Sequence, residues 1–311
     1  MNLIDFVSQF PDEESCKRKF KEIRDREGVK CRKCGHDSHY WKRDKEMYEC
    51  KKCNTRMSLK SGTVMHKSKL SFRYWFIAMH LLTSTRKTFS AKEIQRQLGH
   101  KRYEPIWQMM HKLRNAMGKR DNGYELYGEM ELDDGFFSTA IPKEEKEDPL
   151  KRGRGSQKKT KVLVMTESAK VDAPKKGKKS RKVGHIKMKV IEDLKSETID
   201  EVVTQCISSE AHLTTDNSTS YINLKDLVEE HEAKVVPKKE INKELPWVHI
   251  AITNAKSWLQ SNFHKINRDY LQYYLDEFCY NFNRRHLIDN MFERLLIACV
   301  TSRNDIRYQH G

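Results

Sequence analysis

Residues 128–138 read GEMELDDGFFS. Met130 and Leu132 alternate with Glu131 and Asp133, the period of two that a strand buried on one face requires. On such a strand Glu131 and Asp133 share one face and Asp134 lies on the other. Further along, KVLVMTES (161–168) is a short apolar strand, and HIKMKVIEDL (185–194) alternates clearly. ETIDEVVTQCI predicts a short helix, and AHLTTDN a strand ending at Asp216. TSYINLKDLVEEH is expected to be helical, EAKVVPKKE extended, residues 249–264 helical, and 269–286 a last, aromatic-rich helix. Strands first, with helices then interleaved, predict a mixed α/β domain over 123–290, large enough for one proper core.

Asp133 and Asp216, both at strand ends, are the chemical feature of that domain. A strand holds a side chain rigidly, and two acids brought together repel unless a dication sits between them. Hard oxygen ligands suit Mg²⁺, and two-metal sites support in-line displacement at phosphorus. Taken singly, each reads as readily as a solvated aspartate or a turn residue. The 83 positions between them do not join them by spacing alone.

Working outward to the amino-terminal side, four of the eight cysteines are paired by spacing: Cys31-x-x-Cys34, fifteen residues, then Cys50-x-x-Cys53. Each pair forms a short turn able to aim two sulfurs at one tetrahedral ion, and KEMYEC reads as the strand that returns the second turn beside the first. This is the spacing of a structural zinc ribbon, whose four thiolates leave no open position for chemistry. A redox or disulfide pair is the alternative. Arg32, Lys33, Lys51 and Lys52 lie inside the knuckles and offset the thiolate charge. Cys16, Cys206, Cys279 and Cys299 have no such spacing and read as buried small apolar residues. The ribbon and a preceding helix would occupy 1–66.

Residues 67–122 predict three helices. Residues 70–84 are densely apolar. Ser90 and Glu93 then match a capping box opening a helix that buries Ile94 and Leu98 and stops at Gly99. The third helix sets Ile106, Met110, Leu113 and Met117 on one face and Gln108, His111, Lys112 and Arg114 on the other. A tight glycine turn between helices suggests a helix-turn-helix whose last helix would enter a DNA major groove through those four residues. An ordinary three-helix packing domain with a solvated basic face is the alternative.

Composition agrees with a polyanionic partner. Lys and Arg number 60 against 44 Asp and Glu, a net +16 over 311 residues, with 33% charged and 37% hydrophobic residues. No apolar run approaches the ~18 residues needed to span a bilayer, and the first residues lack the basic-then-apolar layout of a secretory signal. A cytoplasmic location is expected, nucleoid-associated if the source is bacterial. Within 151–189, fifteen bases face two acids, Glu167 and Asp172, so +13 of the excess lies in one stretch. Its centre, DAPKKGKKSRKVG, is expected to be a mobile loop in which Lys175, Lys176, Lys178, Lys179, Arg181 and Lys182 neutralise phosphates. Arg284 and Arg285 of the closing NRRH are candidates for further phosphate contacts. A solubilising insertion is the bland alternative for the loop.

Taken in order, these motifs resemble the insertion-sequence family numbered fifteen-ninety-five. FPDEESCKRKFKEIRDREGVKCRKCG and CKKCNTRMSLKSGTVMHKSKLSFRYWFIAMHLL are similar to its zinc-ribbon entry, and IWQMMHKLRNAM to its helix-turn-helix. MELDDGFFS, LTTDNSTSYINL and HIAITNAKSWLQSNFHKINRDYLQYYLDEFCYNFNRRH are similar to its three catalytic segments. The resemblance runs over residues 8 to about 290 and leaves 291–311 as a tail.

It implies a DDE-type transposase with a ribonuclease-H-like core, acting with Mg²⁺ or Mn²⁺ on the terminal inverted repeats of its element and on target DNA. Pairing two ends implies a homo-oligomer, at least a dimer on double-stranded DNA. Asp133, with Asp134 beside it, matches the first acid and Asp216 the second. Asn254 stands at the third position, where branches of the family carry Glu or Asn. An amide oxygen can coordinate a metal but neutralises no charge and takes no proton, so metal and the remaining acids would activate the nucleophile. Asn254 is expected at a helix start, with Thr253 an equal candidate for the cap. Lys256, two residues on, should not share its face and is assigned to DNA phosphate. The chain departs from the family where GFFSTA replaces an aromatic and a Gly-Gly pair, and where Asn217 replaces a small residue. These departures keep open a catalytically inactive, repurposed DNA-binding protein and, more weakly, a nuclease that hydrolyses without joining.

Overall fold

The computed structural model describes residues 1–142, 145–147, 149–172, 174, 180–235, 244–303 and 306. The chain divides into two compact units, Met1–Arg120 with Arg284–Gly311, and Asp121–Asn283.

The first unit begins with helices α1 (Leu3–Gln9) and α2 (Glu13–Glu27). Asp12 caps α2 in a full box with Ser15. Strands β1 (His39–Lys42), β2 (Met47–Cys50) and β3 (Arg56–Ser58) form a three-stranded antiparallel sheet in that order. Helices α3 (Phe72–Ser84), α4 (Ala91–Leu98) and α5 (Glu104–Asn122) follow. Glu13 anchors the start of α3, its carboxylate accepting from the Phe72 and Arg73 amides, each at 2.8 Å. The box expected at α4 is half formed. Ser90 accepts from the Glu93 amide at 3.1 Å, but the Glu93 side chain turns outward to Arg96 and Gln97. Gly99 ends α4 in the left-handed conformation (φ 61°), as its position predicts.

The expected tail, 291–311, begins with a buried helix, α9 (Met291–Thr301), which packs on α2 and α3 and buries Phe292, Leu295 and Leu296. The tail reading therefore gives way to a closing helix of the first unit. Its apolar side chains at i, i+3 and i+4 are the signal.

The second unit is a five-stranded sheet of order β6-β5-β4-β7-β8. Its strands are β4 (Glu129–Ser138), β5 (Lys159–Lys170), β6 (Arg181–Ile191), β7 (His212–Asp216) and β8 (Glu230–Lys234). The first three form an antiparallel meander, while β7 and β8 run parallel to β4. Helix α6 (Ser196–Cys206) crosses between β6 and β7 and covers one face, where Met130, Leu132, Leu163 and Met165 meet Ile199, Val203 and Cys206. Helices α7 (Pro246–Gln260) and α8 (Leu271–Asn283) cover the other, where Phe137, Val162, Val164 and Met188 meet Val248, Ala251, Ala255, Leu275 and Phe278.

The expected helix over 219–231 is absent. Two short 3₁₀ turns, Thr219–Tyr221 and Leu224–Asp226, lead into β8. Tyr221 and Leu224 are buried among the α6-side residues, so the apolar spacing that suggested a helix serves turns instead. Of the extended stretch 232–240, β8 takes the start, and residues 236–240 lie outside the described residues.

Candidate active site and metal centres

The four spaced cysteines converge in the first unit. Cys31 Sγ lies 3.5 Å from Cys53 Sγ, and Cys34 Sγ lies 3.6 Å from Cys50 and 3.4 Å from Cys53. These separations far exceed a disulfide bond of about 2.05 Å. They approach the edge of about 3.8 Å that four sulfurs at ~2.3 Å from one zinc would define.

The two knuckles are built alike. The Gly35 amide donates to the Cys31 carbonyl at 2.9 Å and the Asn54 amide to the Cys50 carbonyl at 3.0 Å, both residues with positive φ. The Cys31 and Cys50 amides are tied to the His36 and Thr55 carbonyls. Hydrogen bonding at Thr55 draws Cys53 down to about 6, in favour of thiolate. The donor set, its mutual distances and the repeated turn fit a structural zinc ion. The other four cysteines are buried, as expected.

In the second unit the sheet brings the two predicted acids together. Parallel strands β4 and β7 pair Glu129 with His212, Met130 with Leu213 and Glu131 with Thr214. The ladder ends there, and the same offset of 83 carried two residues further would align Asp133 with Asp216. The separation that carried no information in the sequence is the register of this pair. Directly opposed residues on neighbouring strands point to one face, about 4.8 Å apart in the hydrogen-bonding direction. Asp133 Oδ1 accepts from the Asp134 amide at 2.8 Å, and Asp216 Oδ1 from the Ser218 amide at 3.2 Å. Both carboxylates are half-buried.

Helix α7 lies over this face, and Glu131 holds its first turn. The Glu131 carboxylate accepts from the Trp247 and Val248 amides at 2.8 and 2.9 Å, two of the donors a helix start leaves open. Leu245 at the N-cap supplies no side-chain bond. A buried carboxylate from another strand thus replaces the local cap and is favoured there by the helix dipole. Gly135 permits the close approach: a Cβ there would stand 3.0 Å from the Phe137 ring and 3.6 Å from Ile252.

With α7 beginning at Pro246, Asn254 and Thr253 lie mid-helix, not at a helix start, and both are exposed. His249, which sequence reasoning passed over, is the α7 side chain at the acids. Its Nδ1 is 3.7 Å from Asp133 Oδ2. Burial lowers its pKa, with the Asp216 charge acting in the opposite sense. Lys256 shares that flank, seven residues and about 700° along the helix, a net −20°. Its ammonium lies 5.5 Å from the centre of the Phe137 ring. Burial lowers its pKa first and Lys159 second, with Asp133 opposing. Asn254 is about 140° from His249 around the same helix, on the opposite flank. The signal that could have found His249 is the spacing His249-x₆-Lys256, one helical face.

Basic side chains continue from Lys256 through Lys159 into a cavity of about 730 Å³ lined by Lys151, Lys159, Lys161 and Arg268, with Glu145 and Glu192 on its wall. The basic stretch 151–189 is largely ordered as strands β5 and β6, with Lys187 buried. Arg181 is bonded to Ser168 and Lys182 is exposed, while Lys175, Lys176, Lys178 and Lys179 lie outside the described residues.

The helical face expected to meet DNA differs more. His111, Lys112 and Arg114 are buried, and Gln108 is half-buried. Lys112 donates to the His66 carbonyl and Arg114 to the Phe89 carbonyl, each at 3.3 Å. These bases hold neighbouring loops to α5 and do not form an open recognition face. A helix surrounded by packing shows the same apolar stripe as a half-exposed one, which is why the stripe misled. Arg284 and Arg285, half-buried, fall in the first unit rather than with the acids.

Among the helices of the described residues, none is long and apolar enough to cross a membrane. No curated protein sequence matches the chain. A solved structure titled as a pre-cleavage Mos1 transpososome is similar at 10% identity and a TM-score of 0.28, over 74% of this chain and 80% of that one. The model of the ISXO2-like transposase domain matches residues 125–283, the whole sheet with both of its acids and helices α6 to α8. The chain therefore belongs to the ISXO2-like transposase domain family.

Proposed function

We propose that this transposase cleaves DNA at the ends of its element and joins the freed 3′-hydroxyl to a target strand, with Asp133 and Asp216 as the metal-holding pair of a ribonuclease-H-like core. The observation that supports the reading is the β4–β7 register, whose offset of 83, carried two residues past the last ladder pair, would align these two acids inside the family-matched segment. The sheet order, a three-stranded meander followed by two parallel strands, accords with such a core.

Two carboxylates on one sheet face fit a hard divalent cation, Mg²⁺ or Mn²⁺. Bound there, it would polarise the scissile phosphate and favour ionisation of the attacking water or hydroxyl. The chain's own residues do the rest. Glu131 fixes α7 against β4, so the groups on that helix meet the phosphodiester in one orientation. Lys256 stands near Asp133, with Lys159 on its other side, and together they can hold strand phosphates flanking the scissile one. The cavity of Lys151, Lys161 and Arg268 extends that track. Lys182 and the lysines of 175–179 would add phosphate contacts. The amino-terminal ribbon and the α3–α5 helices would recognise the element ends, and pairing two ends would take at least two copies of the chain. Asn254 enters as a candidate third ligand that would have to reach round α7.

A strand-transfer assay with end-sequence DNA and Mg²⁺ or Mn²⁺ tests the reading. Joined product is expected from the wild-type chain and its loss from Asp133→Ala and Asp216→Ala. Binding of end DNA by the wild-type chain without any metal-dependent cleavage would favour the repurposed, inactive alternative, which Asn254's exposed flank makes specific. Cleavage without joining would favour a nuclease.

A further inference from the structure

We infer that His249 supplies a nitrogen ligand to the cation held by Asp133 and Asp216. The inference rests on the proposed role of those two acids and adds the donor their site lacks.

Three observations converge on it. His249 is the α7 side chain facing Asp133, at 3.7 Å from Nδ1 to Oδ2, while Asn254 occupies the far flank. That separation exceeds a hydrogen bond, so the imidazole and the carboxylate are neighbours that do not satisfy each other. The other ring nitrogen, Nε2, is buried without a hydrogen-bond partner among the described residues. An imidazole nitrogen carrying no proton keeps a lone pair that can bind a cation.

The helix is also held where the ligand is needed. Glu131 pins its first turn, and His249 follows one residue after the pinned Val248 amide. Ile252, the next residue on the sheet-facing side, seats against Gly135, directly after the Asp133–Asp134 pair. The backbone of His249 is thus held on the helix turn that faces β4. Among the described residues, only the four cysteines form a group of three or more His, Cys, Asp or Glu ligand atoms within 4.8 Å. Cation binding would therefore require Asp133, Asp216 and His249 to draw closer together.

The ligand type carries a consequence. Imidazole suits softer first-row ions, whereas Mg²⁺ prefers oxygen. An imidazole beside two carboxylates should therefore raise the affinity of first-row divalent ions, Mn²⁺ included, relative to Mg²⁺, and that gain would reside in His249.

The test uses the full chain with its ribbon zinc-loaded, titrated with Mn²⁺ by calorimetry. Pulsed electron paramagnetic resonance reads nitrogen coupling to the bound Mn²⁺. Wild type is expected to show imidazole nitrogen coupling. His249→Gln should lose it, with Mn²⁺ affinity down on the order of ten-fold or more, Mg²⁺ affinity changed less, and an unaltered circular dichroism spectrum. His249→Asp, which restores an oxygen donor, should regain affinity and shift preference toward Mg²⁺. If nitrogen coupling and Mn²⁺ affinity survive in His249→Gln, the inference is overturned; if Asn254→Ala instead lowers the affinity, the third ligand is Asn254. If Asp133→Ala and Asp216→Ala leave Mn²⁺ binding intact, the acid-pair reading itself fails, a result distinct from failure of His249 alone.

Discussion

Replacing Glu131 by alanine should both weaken the second unit and displace the helix over its acids. The side chain is 7% exposed and accepts from the Trp247 and Val248 amides at 2.8 and 2.9 Å. Hydrogen bonds to a charged group contribute about 1.5–3 kcal/mol each. Losing a helix cap costs about 0.5–2 kcal/mol. Both figures describe the same carboxylate at the same helix end, so they overlap and do not sum. A loss of roughly 2–4 kcal/mol for Glu131→Ala is the consistent range, since two amide donors are left at a covered helix start. Glu131→Gln keeps an acceptor oxygen but loses the charge, and should cost about half as much. For a unit of this size each kcal/mol moves the melting temperature by roughly 2–4 °C, so the alanine variant should melt roughly 5–15 °C lower. Urea unfolding followed by circular dichroism measures the free energy directly. Mn²⁺ titration of the folded variant reports whether α7 still presents its residues to the acids. A loss below about 0.5 kcal/mol for Glu131→Ala would refute the claim that this carboxylate anchors α7, because surface substitutions alone reach that value.

Three further outcomes follow from the same geometry. The purified chain should carry one zinc per molecule, and chelation or Cys50→Ser should open residues 31–58 to proteolysis, since apo forms of such modules are unfolded; equal protease resistance with and without zinc would contradict the ribbon. Burial lowers His111 to about 3 from its ordinary 6.5, so the unfolded chain binds the extra proton between those values. Stability should therefore fall as pH drops from about 6.5 toward 3, by at most ~1.4 kcal/mol per pH unit from this group, and His111→Gln should flatten that slope. Lys159→Ala should weaken DNA binding across sequences and reduce the salt slope by about 1. Arg114→Ala, at a buried base, should instead lower the melting temperature and leave the salt slope unchanged.

Much of the site was legible because strand periodicity and knuckle spacing are local. The alternation of Met130 and Leu132 with Glu131 and Asp133 assigned each side chain to its observed face. The two Cys-x-x-Cys turns carry their own geometry, down to the left-handed residue after each pair. What escaped was non-local. Glu131 reads as one more strand acid until α7 arrives from more than a hundred residues away. His249 looks like an ordinary helix residue until the packing of α7 on the sheet shows which of its faces meets the acids. Misplacing the start of α7 made Asn254 a helix-start residue. Lys112 and Arg114 were read as exposed because basic residues usually are; backbone carbonyls at His66 and Phe89, distant in sequence, make their burial tolerable. The segment 219–231 failed differently, since its apolar spacing fits a helix and a pair of 3₁₀ turns equally well.

The most direct measurement is strand transfer by the intact chain on end-sequence DNA, run with and without Mn²⁺ and compared with Asp133→Ala and Asp216→Ala. The account predicts metal-dependent cleavage and joining by the wild-type chain. It also predicts loss of both steps in each variant, with end-DNA binding and melting temperature retained. Joining that survives in either folded variant would contradict the assignment of Asp133 and Asp216 as the metal-holding pair.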